Sequence, residues 1–484
     1  MKEKSVREQF TQAQSPDRRE AVRKDPHRQD FHLMAPVGWL NDPNGLCEMN
    51  GENHIFYQFT PGSADGQDHR GWGHYTTRDF IHYQEQDDPF VPDTIADRKG
   101  SYSGSAFCKD KKMHLFYTGN NKLDGDYDYI HAGRTHWVIH SESQDGKTFS
   151  PKEVLLKNRD YPDNLSCHVR DPKVFEKDGT YWMVLGARTS KDEGEAIVMK
   201  STDLKNWTPA STIRPEKSLG YMWECPDLFD LDGHWILNIS PQGVVRLDAG
   251  NTVGDSNGWM EVRADFDHDQ TVCGFRVLDD GFDFYAPQSY QDESGRRILI
   301  GWMGMPNESW TNPTIQQGWQ HCLSLPRELK WKNQTIYQYP IEELKALRKE
   351  VFAIDLKAGE CMELPQRQVE LDLQVQGESW KIELRKDVCL SYENGLLSLE
   401  MKESGYGREK RSVQVDTIES LQIFSDTSSL EIFINRGQKA MSTRLYDEPE
   451  DRCLCSSIPL CGQGWTLGHF ESEEKTDKGD PIRC

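Results

Sequence analysis

The 484 residues carry 57 basic and 79 acidic side chains, a net charge of −22, which argues against nucleic acid and anionic membrane surfaces as partners. The length allows two domains, or one large domain with an appendage. The 12 cysteines show no Cys-x-x-Cys spacing and only Cys453-x-Cys455 as a close pair. Neither a disulfide framework nor a metal site is expected, and most thiols read as reduced, small apolar groups.

Residues 1–30 are almost wholly polar and lack the apolar core of a secretory signal. They read as an extension that can form a surface helix, interrupted at Ser15-Pro16. No apolar run approaches membrane-spanning length, so a cytoplasmic location is expected.

From residue 31 to about 335 one pattern returns five times. A strand of similar character recurs at His54–Phe59, His114–Gly119, Tyr181–Gly186, His234–Ile239 and Arg297–Trp302. A motif starts 10 to 13 residues before each: Asn41-Asp-Pro-Asn-Gly-Leu46, Tyr102-Ser-Gly-Ser-Ala-Phe107, Arg170-Asp-Pro-Lys-Val-Phe175, Glu224-Cys-Pro-Asp-Leu-Phe229 and Tyr285-Ala-Pro-Gln-Ser-Tyr290. That interval suits a β-hairpin, and Gly51, Asp178-Gly179 and Asp232-Gly233 supply its turns. Further hairpins follow, giving about four strands per repeat. A four-stranded sheet cannot bury its own faces, so the expected fold is all-β, a five-bladed β-propeller. If the motif strands are innermost, Asp42, Asp171 and Glu224 converge on one mouth of the central channel.

Residues 336–350 read as a short linker helix, with Pro340 at its start and Ile341, Leu344 and Leu347 on one face. Residues 351–484 then alternate strictly, as in Val369-x-Leu-x-Leu-x-Val375, with a hairpin turn at Asn394-Gly395. They predict a β-sandwich that is structural, or forms a rim to the pocket.

Each acidic motif has a plain reading as a turn or a strand end, and recurrence at matching places is what points to chemistry. Pro43 and Gly45 suggest a tight turn presenting Asp42 as a nucleophile. Arg170 beside Asp171 is expected to keep that carboxyl ionised. Glu224 emerges from the apolar Met222-Trp223, a setting that suits a general acid. Two carboxyls with opposed environments are what glycoside hydrolysis needs. Asn41 and Gln58 are placed to bond sugar hydroxyls, and Trp39, Trp72, Tyr102 and Trp302 are candidate walls. His69, His74 and His168 lack any metal-ligand spacing.

Trp39-Leu-Asn-Asp-Pro-Asn-Gly45, Phe56-Tyr-Gln58, Trp72-Gly-His74, Tyr102-Ser-Gly-Ser105, Arg170-Asp-Pro172 and Glu224-Cys225 resemble, in order, the motif series of the β-fructosidases, glycoside hydrolase family 32. The resemblance implies a β-fructofuranosidase with a retaining mechanism: Asp42 as nucleophile, Glu224 as acid/base, and Asp171 stabilising the transition state. It adds Ser103 and Arg170 to the substrate-binding residues and implies no metal or organic cofactor. The partner expected is a small fructoside such as sucrose or sucrose 6-phosphate, with a homo-oligomer left open. An exo-acting fructan hydrolase and a fructosyltransferase are rivals within the family, and a carbohydrate-binding propeller without turnover is a rival outside it. Two stretches depart from the family: Tyr102 stands where it often has Phe, and Thr60 to Gly73 reads differently.

Overall fold

Five times between Gly38 and Pro340 the chain folds back and forth into a four-stranded antiparallel sheet, and the five sheets are the blades of a propeller. The computed structural model describes residues 4–244 and 254–475. The innermost strands are Gly38–Met49, Ser101–Lys109, Leu165–Lys177, Met222–Leu231 and Tyr285–Gln291, in blades I to V. Each touches the next and the fifth returns to the first, closing the ring. Four of the five inner hairpins turn on two residues with positive φ: Asn50-Gly51, Asp110-Lys111, Asp178-Gly179 and Asp232-Gly233. This is the type I′ geometry that Asn-Gly and Asp-Gly favour and whose twist matches the strands.

The inner strands are not regular. In blade I Leu40 pairs with Phe59 and Pro43 with Tyr57, so Asn41 and Asp42 together face Gln58. Tyr102-Ser103 face Thr118, Asp171-Pro172 face Leu185, Cys225-Pro226 face Ile239, and Ala286-Pro287 face Gly301. Every blade therefore carries a β-bulge, two residues opposite one, at the same level. The tight turn expected at Asn41-Asp-Pro-Asn-Gly45 is this bulge, inside a continuous 12-residue strand. Proline fits there because a bulge already interrupts the ladder hydrogen bonds that its missing N–H would break.

Separate apolar clusters fill the five blade interfaces. Trp72, for instance, is fully buried with Phe56 of its own blade against Leu115 and Tyr117 of blade II. The N-terminal residues belong to this packing. Helices Val6–Gln12 and Pro16–Arg23 break at Ser15-Pro16, bury Phe10 and Val22, and place Arg19 bidentate on Glu85 at 2.7 Å. Strand Glu471–Glu473 runs parallel to His82–Gln84 at the outer edge of the same blade.

Two of the expectations for the second half need correction. The stretch after Pro340 is a 3₁₀ turn, Glu342–Leu347, not an α-helix. Its apolar residues, Ile341, Leu344 and Leu347, recur every third position, the period of a 3₁₀ helix, and all three are buried. Strand Arg348–Leu356 follows directly. Two six-stranded sheets then form the sandwich around its own core. Cys361 and Cys455 stand directly opposite on adjacent strands and are joined as a disulfide, so these two are not reduced thiols. Nine other described cysteines are free, and Cys484 lies outside the described residues. No helix among the described residues is long and apolar enough to cross a membrane.

Buried charge joins propeller to sandwich. Arg327 of blade V pairs with Glu431 of the sandwich at 2.5 Å and with Asp279 at 3.0 Å. Arg408 of the sandwich grips Asp283 at 2.6 and 2.7 Å. His32 lies between Asp426 at 2.7 Å and Glu431 at 3.0 Å, with all three side chains fully buried. Burial opposes a charge on His32, but the bonds and charges of the two carboxylates outweigh it and raise its pKa above the usual value.

A raised folded-state pKa means that the imidazolium's contribution is complete below the unfolded value, about 6.5, and is lost as pH rises through the folded one. His32→Ala removes one charged partner from each of two buried carboxylates, which keep Arg327 and backbone N–H donors, and should cost about 1.5–3 kcal/mol at pH 6. Denaturant titrations at pH 6 and pH 9 should show the difference from wild type shrinking at the higher pH.

Candidate active site

The five bulges surround one end of the channel, where a cavity of about 500 Å³ opens to solvent. Its lining includes Asp42 from blade I, Ser103 from blade II, Arg170 and Asp171 from blade III, Glu224 from blade IV and Tyr285 from blade V. Asn41, Gln58, Tyr102, Trp39 and Trp302 line it too. Trp72 does not. Its ring lies in the interface of blades I and II, and its Nε1 donates to the Tyr102 carbonyl at 3.0 Å.

Asp42 is held by donors from three blades. Oδ2 accepts from Ser103 Oγ at 2.5 Å and from Cys225 Sγ at 3.4 Å, and Oδ1 from Asn41 Nδ2 at 3.0 Å. Gln58 locks the group, accepting from Asn41 and donating to Ser103, each at 2.7 Å. Asp171 Oδ2 accepts from the Cys225 backbone N–H at 3.0 Å and lies 3.7 Å from its Sγ. Burial and the surrounding carboxylates push the Cys225 thiol well up, so it stays a donor and spans the two aspartates. Sequence reading passed over Cys225 as a site residue, although it adjoins Glu224 in the fourth motif.

Arg170 hydrogen-bonds Glu224 and not the acid beside it in the chain. Its guanidinium bonds Glu224 Oε1 at 2.5 and 3.2 Å and lies 3.8 Å from Asp171. His168 supports it from behind, with Nδ1 facing Nη1 at 2.6 Å. Burial and the charges of Arg170, Arg134 and Arg188 push His168 down to about 3, so the neutral ring accepts at Nδ1 and donates at Nε2 to the Tyr129 carbonyl. Tyr285 donates its hydroxyl to Glu224 Oε2 at 2.8 Å. Burial and the Glu224 charge hold that phenol well above its usual pKa. Glu224 thus sits in a polar clasp, not the apolar setting expected, because Trp223 turns into the core between blades III and IV. Tyr285 was legible only as the fifth copy of the motif.

Both aspartates are pushed above the ordinary carboxylate value, Asp171 against the expectation that Arg170 would hold it down. Burial raises Asp42, the Ser103 bond opposes it, and the Glu224 charge adds to the rise. Burial lifts Asp171 to about 7 against the Arg170 charge, with Glu224 and Asp42 adding to the rise. The sequence paired Arg170 with Asp171, but the guanidinium is committed to Glu224. Three carboxylates meet at a site that holds one guanidinium in contact, and burial with neighbouring negative charge disfavours the charged forms of Asp42 and Asp171.

The chain matches known proteins over most of its length. The model of the "Glycosyl hydrolases family 32 N-terminal domain" covers residues 32–340, and that of the family's C-terminal domain residues 366–456. The sucrose-6-phosphate hydrolase of Bacillus subtilis is 37% identical across 90% of this chain and 92% of its own. Among solved structures, a sucrose-6-phosphate hydrolase from Lactobacillus gasseri superposes with a TM-score of 0.86 at 27% identity, covering 96% of this chain and 100% of that one. A GH32 β-fructofuranosidase from Bombyx mori gives 0.84 at 26%, covering 97% and 99%.

The raised Asp171 carries a stability cost. A folded-state pKa of about 7 against an unfolded value near 3.9 means that the native state is favoured while the group is protonated and is penalised as pH climbs between the two values. Asp171→Asn keeps an acceptor for Cys225 N–H without the charge. It should stabilise the fold by ~1–3 kcal/mol at pH 8 and by little at pH 4, which melting curves at the two pH values would read.

Proposed function

The chain belongs to family 32 of the glycosyl hydrolases, and from that premise we propose that it is a retaining β-fructofuranosidase in which Asp42, Glu224 and Asp171 carry the reaction. The substrate is a terminal non-reducing β-D-fructofuranoside, with sucrose 6-phosphate and sucrose first. The observation that supports this reading is the meeting of three carboxylates from blades I, III and IV in one cavity, bridged by Cys225.

In the first displacement Asp42 attacks the anomeric carbon while Glu224 gives its proton to the leaving oxygen. The bond from fructosyl carbon to that oxygen breaks as the bond to the Asp42 carboxylate forms. Asn41 and Ser103, both bonded to Asp42, fix the attacking oxygen, so little orientation is left to find in the transition state. Asp171 accepts bonds from fructose hydroxyls as the ring gains positive character. In the second displacement Glu224 takes a proton from water, which attacks the same carbon and frees Asp42. Arg170 and Tyr285 hold Glu224 toward the leaving-group side in both steps. The sucrose-6-phosphate hydrolases among the relatives favour a phosphorylated disaccharide over the fructan and transferase readings. A substrate of that kind suits the cytoplasmic location expected of the chain. Initial rates on sucrose, sucrose 6-phosphate, kestose and inulin separate these readings.

Asp42→Asn should lower kcat by about 10⁴-fold or more with substrate binding retained, since no other carboxylate is bonded in its place. The acid limb of kcat/KM should reflect the raised Asp42, and Ser103→Ala, which removes a bond favouring the charged form, should move that limb to higher pH. Glu224→Gln should flatten the alkaline limb and spare substrates whose leaving group needs no proton, with azide speeding breakdown of the fructosyl-enzyme. Equal slowing of activated and unactivated substrates, without azide rescue, would remove Glu224 from the acid/base role.

A further inference from the structure

One wall of the cavity includes Asp65, Gln67 and Arg70, from the stretch Thr60 to Gly73. Gly66 shapes it. At φ +75° its backbone turns so closely that a Cβ there would lie 3.1 Å from Arg70 Nη2 and 3.2 Å from the Trp39 ring. Trp39 Nε1 in turn donates to Asn41 at 2.9 Å, and Asn41 to Asp42. Arg70 therefore stands a few contacts outward from the reacting end, on the wall of the same cavity.

Its guanidinium has little to do within the protein. It lies 5.8 Å from the centroid of the Tyr102 ring, and its side-chain hydrogen bond is a 3.4 Å contact to the Gly66 carbonyl. Arg134, which also interacts with Tyr102, donates to the Tyr129 carbonyl at 3.2 Å and to Asn120 Oδ1 at 3.3 Å, both neutral acceptors. Among the described residues no carboxylate lies within ion-pair distance of either guanidinium, although acids outnumber bases 79 to 57 in the chain. Asp65 on the same wall is engaged by Ser63 and by the Gln67 N–H, and Asp68 bonds the His69 N–H. A neutral sugar gains little from a cavity-lining guanidinium that has no ion pair. A phosphate monoester gains charge-assisted, bidentate bonds.

We propose that Arg70, beside the Tyr102 ring, forms a phosphate-binding subsite that selects a fructoside whose leaving hexose carries a phosphate monoester. This rests on the β-fructofuranosidase reading and adds to it the residue that reads the phosphate. Fructose occupies the floor among the three acids, and the leaving hexose extends past Tyr102 so that its phosphate meets the Arg70 fork.

The measurement is the ratio of kcat/KM for sucrose 6-phosphate to that for sucrose, in wild type, Arg70→Met and Arg70→Lys. Met keeps the apolar stem against Tyr102 and removes the charge, and matched melting temperatures check the fold. Wild type should favour the phosphorylated substrate. Arg70→Met should lower the ratio by about 10- to 100-fold, chiefly through KM, and weaken competitive inhibition by glucose 6-phosphate similarly. Arg70→Lys should recover part of both, and rising salt should erode the wild-type preference. A wild type indifferent to the phosphate, or a folded Arg70→Met with an unchanged ratio, would overturn the subsite and leave the fructosidase reading standing. Failure of wild type to cleave any β-fructofuranoside would instead remove the reading on which the subsite rests.

Discussion

A regular β-strand sends alternate side chains to opposite faces, and in a propeller both faces are spoken for by neighbouring blades. Reaching the channel mouth requires a break in that alternation, and the bulge in each inner strand supplies it. The break frees a backbone N–H from its ladder, and the preceding blade takes it up. Asp171 N–H bonds Thr118 Oγ1 of blade II, Cys225 N–H bonds Asp171 of blade III, and Ala286 N–H bonds Ser240 Oγ of blade IV. Asp171, Cys225 and Ala286 all have positive φ, a conformation that non-glycine residues hold only when surroundings enforce it. The enforcing contacts come from the neighbouring blade, so the geometry of the acids depends on closure of the whole ring.

The electrostatics follow from that placement. Asp42 and Asp171 come to rest at the channel mouth, each shifted above the ordinary carboxylate range first by burial. Neutral donors offset part of the cost: Ser103, Asn41 and the thiol of Cys225, none of which adds charge. The sandwich, although it lines none of the cavity, steadies its rim. Arg408 bonds Asp283 and Asn312, and Asn312 bonds Gln320 and faces His321. All four partners line the pocket.

Much of this was legible in the sequence because the repeat is local. Each motif and its following strand lie within one hairpin, so the period, the blade count and the three acids could be read together. What was not legible depends on partners far along the chain. Asn41-Asp-Pro-Asn-Gly45 looks like a turn until Gln58 is seen opposite two residues at once. Arg170 adjoins Asp171 in sequence, yet its guanidinium is committed to Glu224, 54 positions away. Cys225 reads as a small apolar residue until two aspartates are seen within reach of its sulfur. Trp72 looks like a sugar platform, but a motif cannot tell which face of a strand meets the next blade. The apolar spacing of three at Ile341, Leu344 and Leu347 was readable as a 3₁₀ turn, had the period been weighed against 3.6.

Blade I is finished by segments from both ends of the chain. Arg19 and Phe10 cover it from one side, and Glu471–Glu473 extends its outer edge, with Lys475 reaching Asp88 at 2.8 Å and Glu85 at 3.6 Å. Its inner strand carries Asp42. A chain emerging from the ribosome makes this blade before the other four, and its domains begin to fold in that order, but the last edge of the blade is not available until residue 473 has been added. The sheet that presents Asp42 is therefore begun before the other four blades and completed after them, and a chain broken off inside the sandwich leaves that sheet with an open edge where another strand can pair.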